Sequence, residues 1–121
     1  MYIRFVMEDQ FVLDPAIYVY TQACPKGVIP LAQFYEKEGF SYVIPQVKAK
    51  GLSFTFPCRC IQLEATTALD AVGITAKVSR VLAAANIPCN VIAAYHHDYF
   101  IVPLALGEKA LELLNSSLSQ A

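Results

Sequence analysis

A chain of 121 residues with 9 Lys+Arg against 10 Asp+Glu has a formal charge of −1. That excludes the strongly basic balance of a nucleic-acid binder or an anionic-membrane binder. Hydrophobic residues make up 56% and charged residues only 16%, which excludes intrinsic disorder and promises a real core with apolar surface left over for a partner interface.

The opening MYIRFVMEDQ is broken by Arg4, Glu8 and Asp9. It has no uninterrupted apolar region and no small-residue cleavage site, so no signal peptide is expected and the protein reads as cytoplasmic. Next, IYVYTQ alternates as a strand does. Leu31 to Glu38, after Pro30 and closed by Gly39, is predicted as a short helix. SYVIP is a further strand, and the join to the second half falls near Gly51 to Phe56.

In the second half, FTFPCRCIQLEA predicts a strand over Phe56 to Ala65, with Pro57 early in it or at a bulge. Ile74, Val78, Val81, Leu82 and Ala85 then recur at helical spacing, with Lys77 and Arg80 on the other face. Asn86, Ile87 and Pro88 stop that helix. NVIAAY and YFIVPL predict two strands joined through His96, His97 and Asp98 in a short hairpin. Glu108 to Leu118 is a last helix, with Leu111, Leu114 and Leu118 on one face and Glu108 suited to the positive end of the dipole. The longest stretch without an acid or base, Val81 to His97, contains Asn86, Pro88, Asn90, His96 and His97, which makes it a poor membrane span.

The order strand, helix, strand, strand, helix predicts an α+β fold of ferredoxin-like type. Its fourth strand is missing, because only NSSLSQA remains. The first half is therefore expected to donate that strand, from Phe11–Leu13 or from Ile17–Gln22. SYVIP echoes DYFIVP, which suggests two related modules in tandem, residues 1–55 and 56–121, with a shared or exchanged strand.

No phosphate loop, dinucleotide fingerprint, zinc-protease motif or nucleophile elbow is present. No catalytic residue, metal or cofactor is expected, and an enzyme is the least favoured class. Cys24, Cys58, Cys60 and Cys89 have no zinc spacing. Cys58 and Cys60 share one strand face, and two small hydrophobes are favoured there over half a metal site or a redox pair. His96 and His97 read first as a polar hairpin tip.

The segment LDAVGITAKVSRVLAAANI, Leu69 to Ile87, stands apart. A loop with Asp70 runs through Gly73 directly into a helix. Gly73 permits a backbone conformation or a close approach that a side chain would block. Free N–H groups around Ile74 to Lys77 suit a carboxylate. Asp70 suits an ammonium group, or simply caps the helix.

Asp70-x-x-Gly73-Ile74, the ladder Val78, Val81, Leu82 and the following Asn86-Ile87 resemble the signature of the ACT domain. The resemblance covers Phe56 to Leu118. Val72 stands where that family usually has proline, which makes the loop less rigid. The chain is also similar to small stand-alone bacterial proteins built of two ACT-like halves. The similarity lies in the LDP-x-x-Y-V-Y opening (Leu13 to Tyr20), the Gly-x-x-Y-V-I-P segment, Leu69 to Ala76 and Asn90 to Pro103.

The resemblance implies βαββαβ modules and a non-catalytic regulatory protein that senses a small molecule, by its kinship with more distant tandem-ACT arginine sensors and aspartokinase regulatory regions an amino acid. It implies a ligand at a module interface. Asp70, Ala71, Val72, Gly73, Ile74 and Thr75 would lie on the loop side, with Asn90, Ile92, His96, His97 and Asp98 facing them. A homodimer or higher homo-oligomer is expected from the charge-poor, apolar composition and fits the resemblance, and no nucleic-acid or membrane partner is expected. The alternative is a module that has lost its ligand and serves only protein interaction or dimerisation.

Overall fold

A computed structural model describes residues 11–64 and 72–118 of the chain. Its elements are β1 (Phe11–Leu13), β2 (Tyr18–Thr21), β3 (Ala32–Glu36), β4 (Gly39–Pro45), β5 (Phe54–Leu63), α1 (Ile74–Ala84), β6 (Asn90–Ala93), β7 (Asp98–Pro103) and α2 (Gly107–Leu118). All strands join one antiparallel sheet in the order β3-β4-β2-β5-β7-β6, with β1 also paired to β5.

The long strand β5 organises the sheet. Its Cys58–Leu63 stretch pairs with β7 on one side. On the other side it meets β1 (Phe11↔Leu63, Leu13↔Ile61) and then β2 (Tyr18↔Cys58, Thr21↔Phe54). Both segments expected as strand donors therefore lie along β5. Phe11–Leu13 is the one that completes the second half, giving β1-β5-β7-β6. The opening stretch of β5 in turn completes the first half, giving β5-β2-β4-β3. Each half borrows its outer fourth strand from the other.

Local chemistry explains the bends. Asp14 separates β1 from β2: its carboxylate accepts the Ala16 N–H at 2.8 Å and the Tyr18 hydroxyl at 2.7 Å, while its own N–H donates to the Cys60 carbonyl at 2.9 Å. This side-chain turn replaces ladder bonds that Pro15 interrupts. Opposite, the register shifts between Tyr18 and Tyr20, and Phe56 has φ 57°. Pro57 thus lies early in β5 and at a bulge, as predicted, because it has no N–H for the ladder. The strand begins two residues before the predicted Phe56; Ala65 lies outside the described residues.

The helix predicted at Leu31 to Glu38 is strand β3. Ala32–Glu36 pairs with Gly39–Val43 in a tight hairpin that turns at Lys37 and Glu38. Phe34 and Tyr35 favour a strand, and Gly39 serves the hairpin turn with φ 123° rather than a helix C-cap. The second hairpin turns through Ala94 to His97, closed by the Ala94 N–H to the His97 carbonyl at 3.0 Å. Asp98 is accordingly the first residue of β7 rather than part of the connection.

Helix α1 ends as its sequence demands. Asn86 takes φ 61°, and the Ile87 N–H reaches back to the Leu82 carbonyl at 2.9 Å. That closes a Schellman cap. The two helices cover one face of the second half. Val78, Leu82, Ala110 and Leu114 pack there on Phe11, Ile61, Leu63, Phe100 and Val102. On the same side of the first half, Val19, Ile44 and Ala49 are covered by Cys24, Val28 and Leu52 from loops. The other sheet face carries a third cluster, Tyr18, Val43, Cys58, Cys60 and Ile101, fringed by Tyr20, Phe56, Ile92 and Tyr99. None of the described helices is long and apolar enough to cross a membrane.

Candidate functional site at the start of the first helix

Gly73 is the N-cap of α1, with φ 97° and ψ −14°. A Cβ built there would meet no atom of the described residues within 4 Å. The left-handed backbone is one that glycine adopts without strain. The first helical bond runs from the Lys77 N–H to the Gly73 carbonyl at 3.0 Å, which leaves the N–H groups of Ile74, Thr75 and Ala76 ahead of it. Glycine supplies no capping side chain. Val72, beside it, is 96% exposed. Asp70 and Ala71 lie outside the described residues.

The β6–β7 turn lies at the same end of the sheet. Leu63, the last residue of β5, pairs with Asp98, which pairs with Ala93. Tyr95 is 78% exposed, and a chain of ring contacts links Tyr95, His96, His97 and Tyr99. His97 is half-buried, and its Nδ1 is enclosed without a hydrogen-bond partner among the described residues. Asp98 is buried.

Asn90 and Ile92 go elsewhere. Both lie on the face away from the helices, where Ile92 packs at the edge of the Tyr18–Cys60 cluster and Asn90 lies beside the Tyr20 phenol. Within one chain, then, Val72–Thr75 share an end of the sheet with His96 and His97, whereas Asn90 and Ile92 sit behind the sheet. Alternation along β6 gives their common face. That this face turns away from α1 depends on the tertiary packing.

The cysteines are all free. Burial pushes the Cys58 thiol up to about 11 and the Cys60 thiol up to about 12, the latter helped by Asp14 and Cys58. Both stay protonated at neutral pH, which suits buried packing and not redox chemistry. Cys58 donates weakly to the Tyr18 carbonyl at 3.3 Å. Among the described residues no group of three or more His, Cys, Asp or Glu could hold a metal.

Sequence reasoning did not single out a second concavity, at the end of β2. It is lined by Tyr20, Thr21, Gln22, Ser41, Ser53, Phe54 and Thr55. These residues lie on or beside three strands, in three separate stretches of the chain, so only the strand register reveals the grouping.

Comparison with known proteins supports the same fold from outside the chain. A family model described as ACT domain matches residues 54–116. A Vibrio cholerae protein of unknown function, described as a possible transport protein, is 30% identical. The match covers 93% of this chain and 92% of that one, with a TM-score of 0.78. An Agrobacterium tumefaciens protein is 19% identical over 84% of this chain and 82% of its own, with a TM-score of 0.65. The ligand-free regulatory subunit of aspartate kinase from Thermus thermophilus is only 10% identical but shares the fold, covering 93% of this chain and 98% of its own at a TM-score of 0.70. No curated protein matches the chain. With a family model spanning the second half and a relative that aligns along nearly the full length, this chain belongs to the ACT domain family.

Proposed function

We propose that this protein is a cytoplasmic, non-catalytic regulatory module that binds an amino acid at the start of α1. The observation that carries this reading is the left-handed Gly73 leading into three N–H groups ahead of the first helical bond. Such a helix start accepts a carboxylate. Asp70, through Thr75, forms the loop side of the site, with His96, His97 and Asp98 at the same end of the sheet. Asn90 and Ile92 face the ligand from a second module, so the site is completed in a homodimer or higher oligomer. On this reading the chain divides at residue 55, and β5 crosses the boundary.

The test is thermal shift and isothermal titration against the proteinogenic amino acids. A ligand that binds only the native state raises the melting temperature as its concentration passes Kd. No shift with any of them at millimolar concentration would defeat the proposal. Gly73→Asp puts a carboxylate where the ligand's own would lie, and should abolish the shift without changing oligomer size in sedimentation.

A second reading is an interaction module without a ligand. It is favoured by Val72, which is 96% exposed where the family usually has proline. Under this reading Val72→Asp weakens self-association and no amino acid stabilises the fold.

A further inference from the structure

The β3–β4 hairpin outruns the sheet. The last row in which β2 takes part on this side is Thr21↔Tyr42, level with Gln33 of β3. Beyond that row β2 turns off, with the Thr21 hydroxyl donating to the Ala23 carbonyl at 2.7 Å. Among the described strands, residues Phe34 to Ser41 therefore pair only with each other and form a two-stranded arm. Tyr35 and Phe40 are cross-strand partners with ring centroids 4.9 Å apart, and Phe40 stacks on Tyr42 at 6.1 Å. Phe34, paired with Ser41, lies on the opposite face of the arm. Tyr35 is 79% exposed, and Phe34 and Phe40 are each 46% exposed. A two-stranded ribbon without a covering layer is marginal in water. The tip, Glu36-Lys37-Glu38, carries a net negative charge.

The same chain carries a surface that suits this arm. Between α1 and α2 runs a groove of about 460 Å³, lined by Arg80, Val81, Ala84 and Ala85 of α1 and by Leu113 and Ser117 of α2. Arg80 and Ala84, Val81 and Ala85, and Leu113 and Ser117 are each four residues apart, so each helix turns one side to the groove. Val81, Ala85 and Leu113 also pack on the core beneath and form its floor. Arg80 and Ala84 are exposed at its rim, and among the described residues Arg80 is the one charged member of the lining. Helix α1 carries Lys77 and Arg80 and no acid.

We propose that the β3–β4 arm of one copy docks in the α1–α2 groove of a second copy, with its rings on Val81, Ala85 and Leu113 and its acidic tip toward Arg80 and Lys77. Apolar surface meets apolar surface, and the charges beside the two surfaces have opposite sign. An arm and a groove are different patches. Two copies that exchange arms close a two-fold dimer in which the contact occurs twice. The contact needs no amino acid, so it is measured on the ligand-free chain and stands apart from the reading of the helix start at Gly73.

The experiment is complementation between two variants, read by sedimentation equilibrium. Tyr35→Glu spoils the arm and leaves the groove, whereas Ala84→Glu spoils the groove and leaves the arm. Both replace exposed side chains, and Tyr35→Ser serves if Tyr35→Glu unfolds the hairpin. The wild-type chain is expected to sediment as a dimer and each variant alone as a monomer. Their mixture should sediment as a dimer again, more weakly held because one of its two contacts is intact. In that mixture a 15N-labelled Ala84→Glu chain should show amide shifts along Phe34 to Ser41, and a labelled Tyr35→Glu chain along Arg80 to Ala85 and at Leu113 and Ser117. A monomeric wild type, either variant associating as tightly as the wild type, shifts away from arm and groove, or a mixture of folded variants still monomeric at millimolar concentration would each overturn the proposal.

Discussion

A row of four residues, Pro45–Tyr18–Cys58–Pro103, crosses the middle of the sheet, and the two halves on either side of it match strand for strand. Numbered from its own first strand, each half has the order fourth, first, third, second. Each third strand ends in a proline of nearly the same conformation, Pro45 (φ −59°, ψ 136°) and Pro103 (φ −57°, ψ 148°), and each is followed by a single 3-10 turn. After that turn the halves diverge. Leu104–Leu106 leads into the twelve residues of α2, whereas Gln46–Lys48 leads into a loop. The strand plan tolerates loss of the helices on one side because each half takes its fourth strand from the other.

The sharpest way to break this comparison is to truncate the cover over each half. Leu82 on α1 and Leu114 on α2 are fully buried against the sheet. Either Leu→Ala change should cost about 2–5 kcal/mol. Leu52, which covers Val19 and Ile44, is only half-buried, and Leu52→Ala should cost about 1 kcal/mol. Denaturant midpoints check both. An equal cost on the two sides would mean that the loop cover holds the first half as tightly as the helices hold the second.

The next test uses equivalent positions. Ala49 and Gly107 both follow the 3-10 turn directly. Ala49 packs with Val19, whereas a Cβ on Gly107 would lie 2.8 Å from Cγ of Arg59. Val19 and Arg59 each follow their member of the paired row. A short side chain beneath the turn leaves room for a methyl group, and an arginine stem does not. Gly107→Ala should destabilise by about 1–3 kcal/mol through overpacking, which outweighs a helix-propensity gain of at most about 1 kcal/mol. Adding Arg59→Val, which mimics the first half, should recover most of that loss. A double-mutant cycle with no coupling would remove the steric explanation.

These positions also show what could be read from the sequence. The likeness of SYVIP to DYFIVP marked the two third strands correctly, because a buried strand followed by proline is a local pattern. The α1 and α2 stripes were legible for the same reason. The strand β3 was not. Leu31 and Tyr35 are also compatible with helical spacing, and only pairing with β4 decides the matter. Of the candidate site, the glycine turn into α1 was legible from its spacing. The placement of Asn90 and Ile92 behind the sheet was not, since alternation fixes which residues share a face but not which layer covers it.

A smaller effect probes the exchange of strands itself. Asn115 on α2 holds the outer edge of β1: it accepts the Phe11 N–H at 3.3 Å and donates to the Phe11 carbonyl at 3.2 Å. The side chain thus stands in for a further strand at an edge that no described strand pairs. Asn115→Ala should cost about 1–2 kcal/mol. Faster amide exchange at Phe11 and Leu13 than at Tyr18 and Tyr20 would localise the loss to the lent strand. A uniform change along β1 and β2 would mean that they open together.

The smallest effect vanishes at neutral pH and emerges only in alkali, at the seam between the halves. Tyr18, Cys58 and Cys60 lie together on the face away from the helices. Burial, with the Asp14 hydrogen bond as a second cause, raises the Tyr18 phenol above its ordinary value. Burial likewise lifts the Cys58 and Cys60 thiols from 9.0 to about 11 and about 12. Each group holds its proton more tightly folded than unfolded. Its contribution is therefore complete below the unfolded value and is lost as pH rises through the folded one. Stability should be flat in these groups up to about pH 9 and fall between about 9 and 12. Cys58→Ala with Cys60→Ala lowers stability at every pH but should flatten that alkaline slope. An unchanged slope in the double variant would mean that the seam does not open when alkali unfolds the chain.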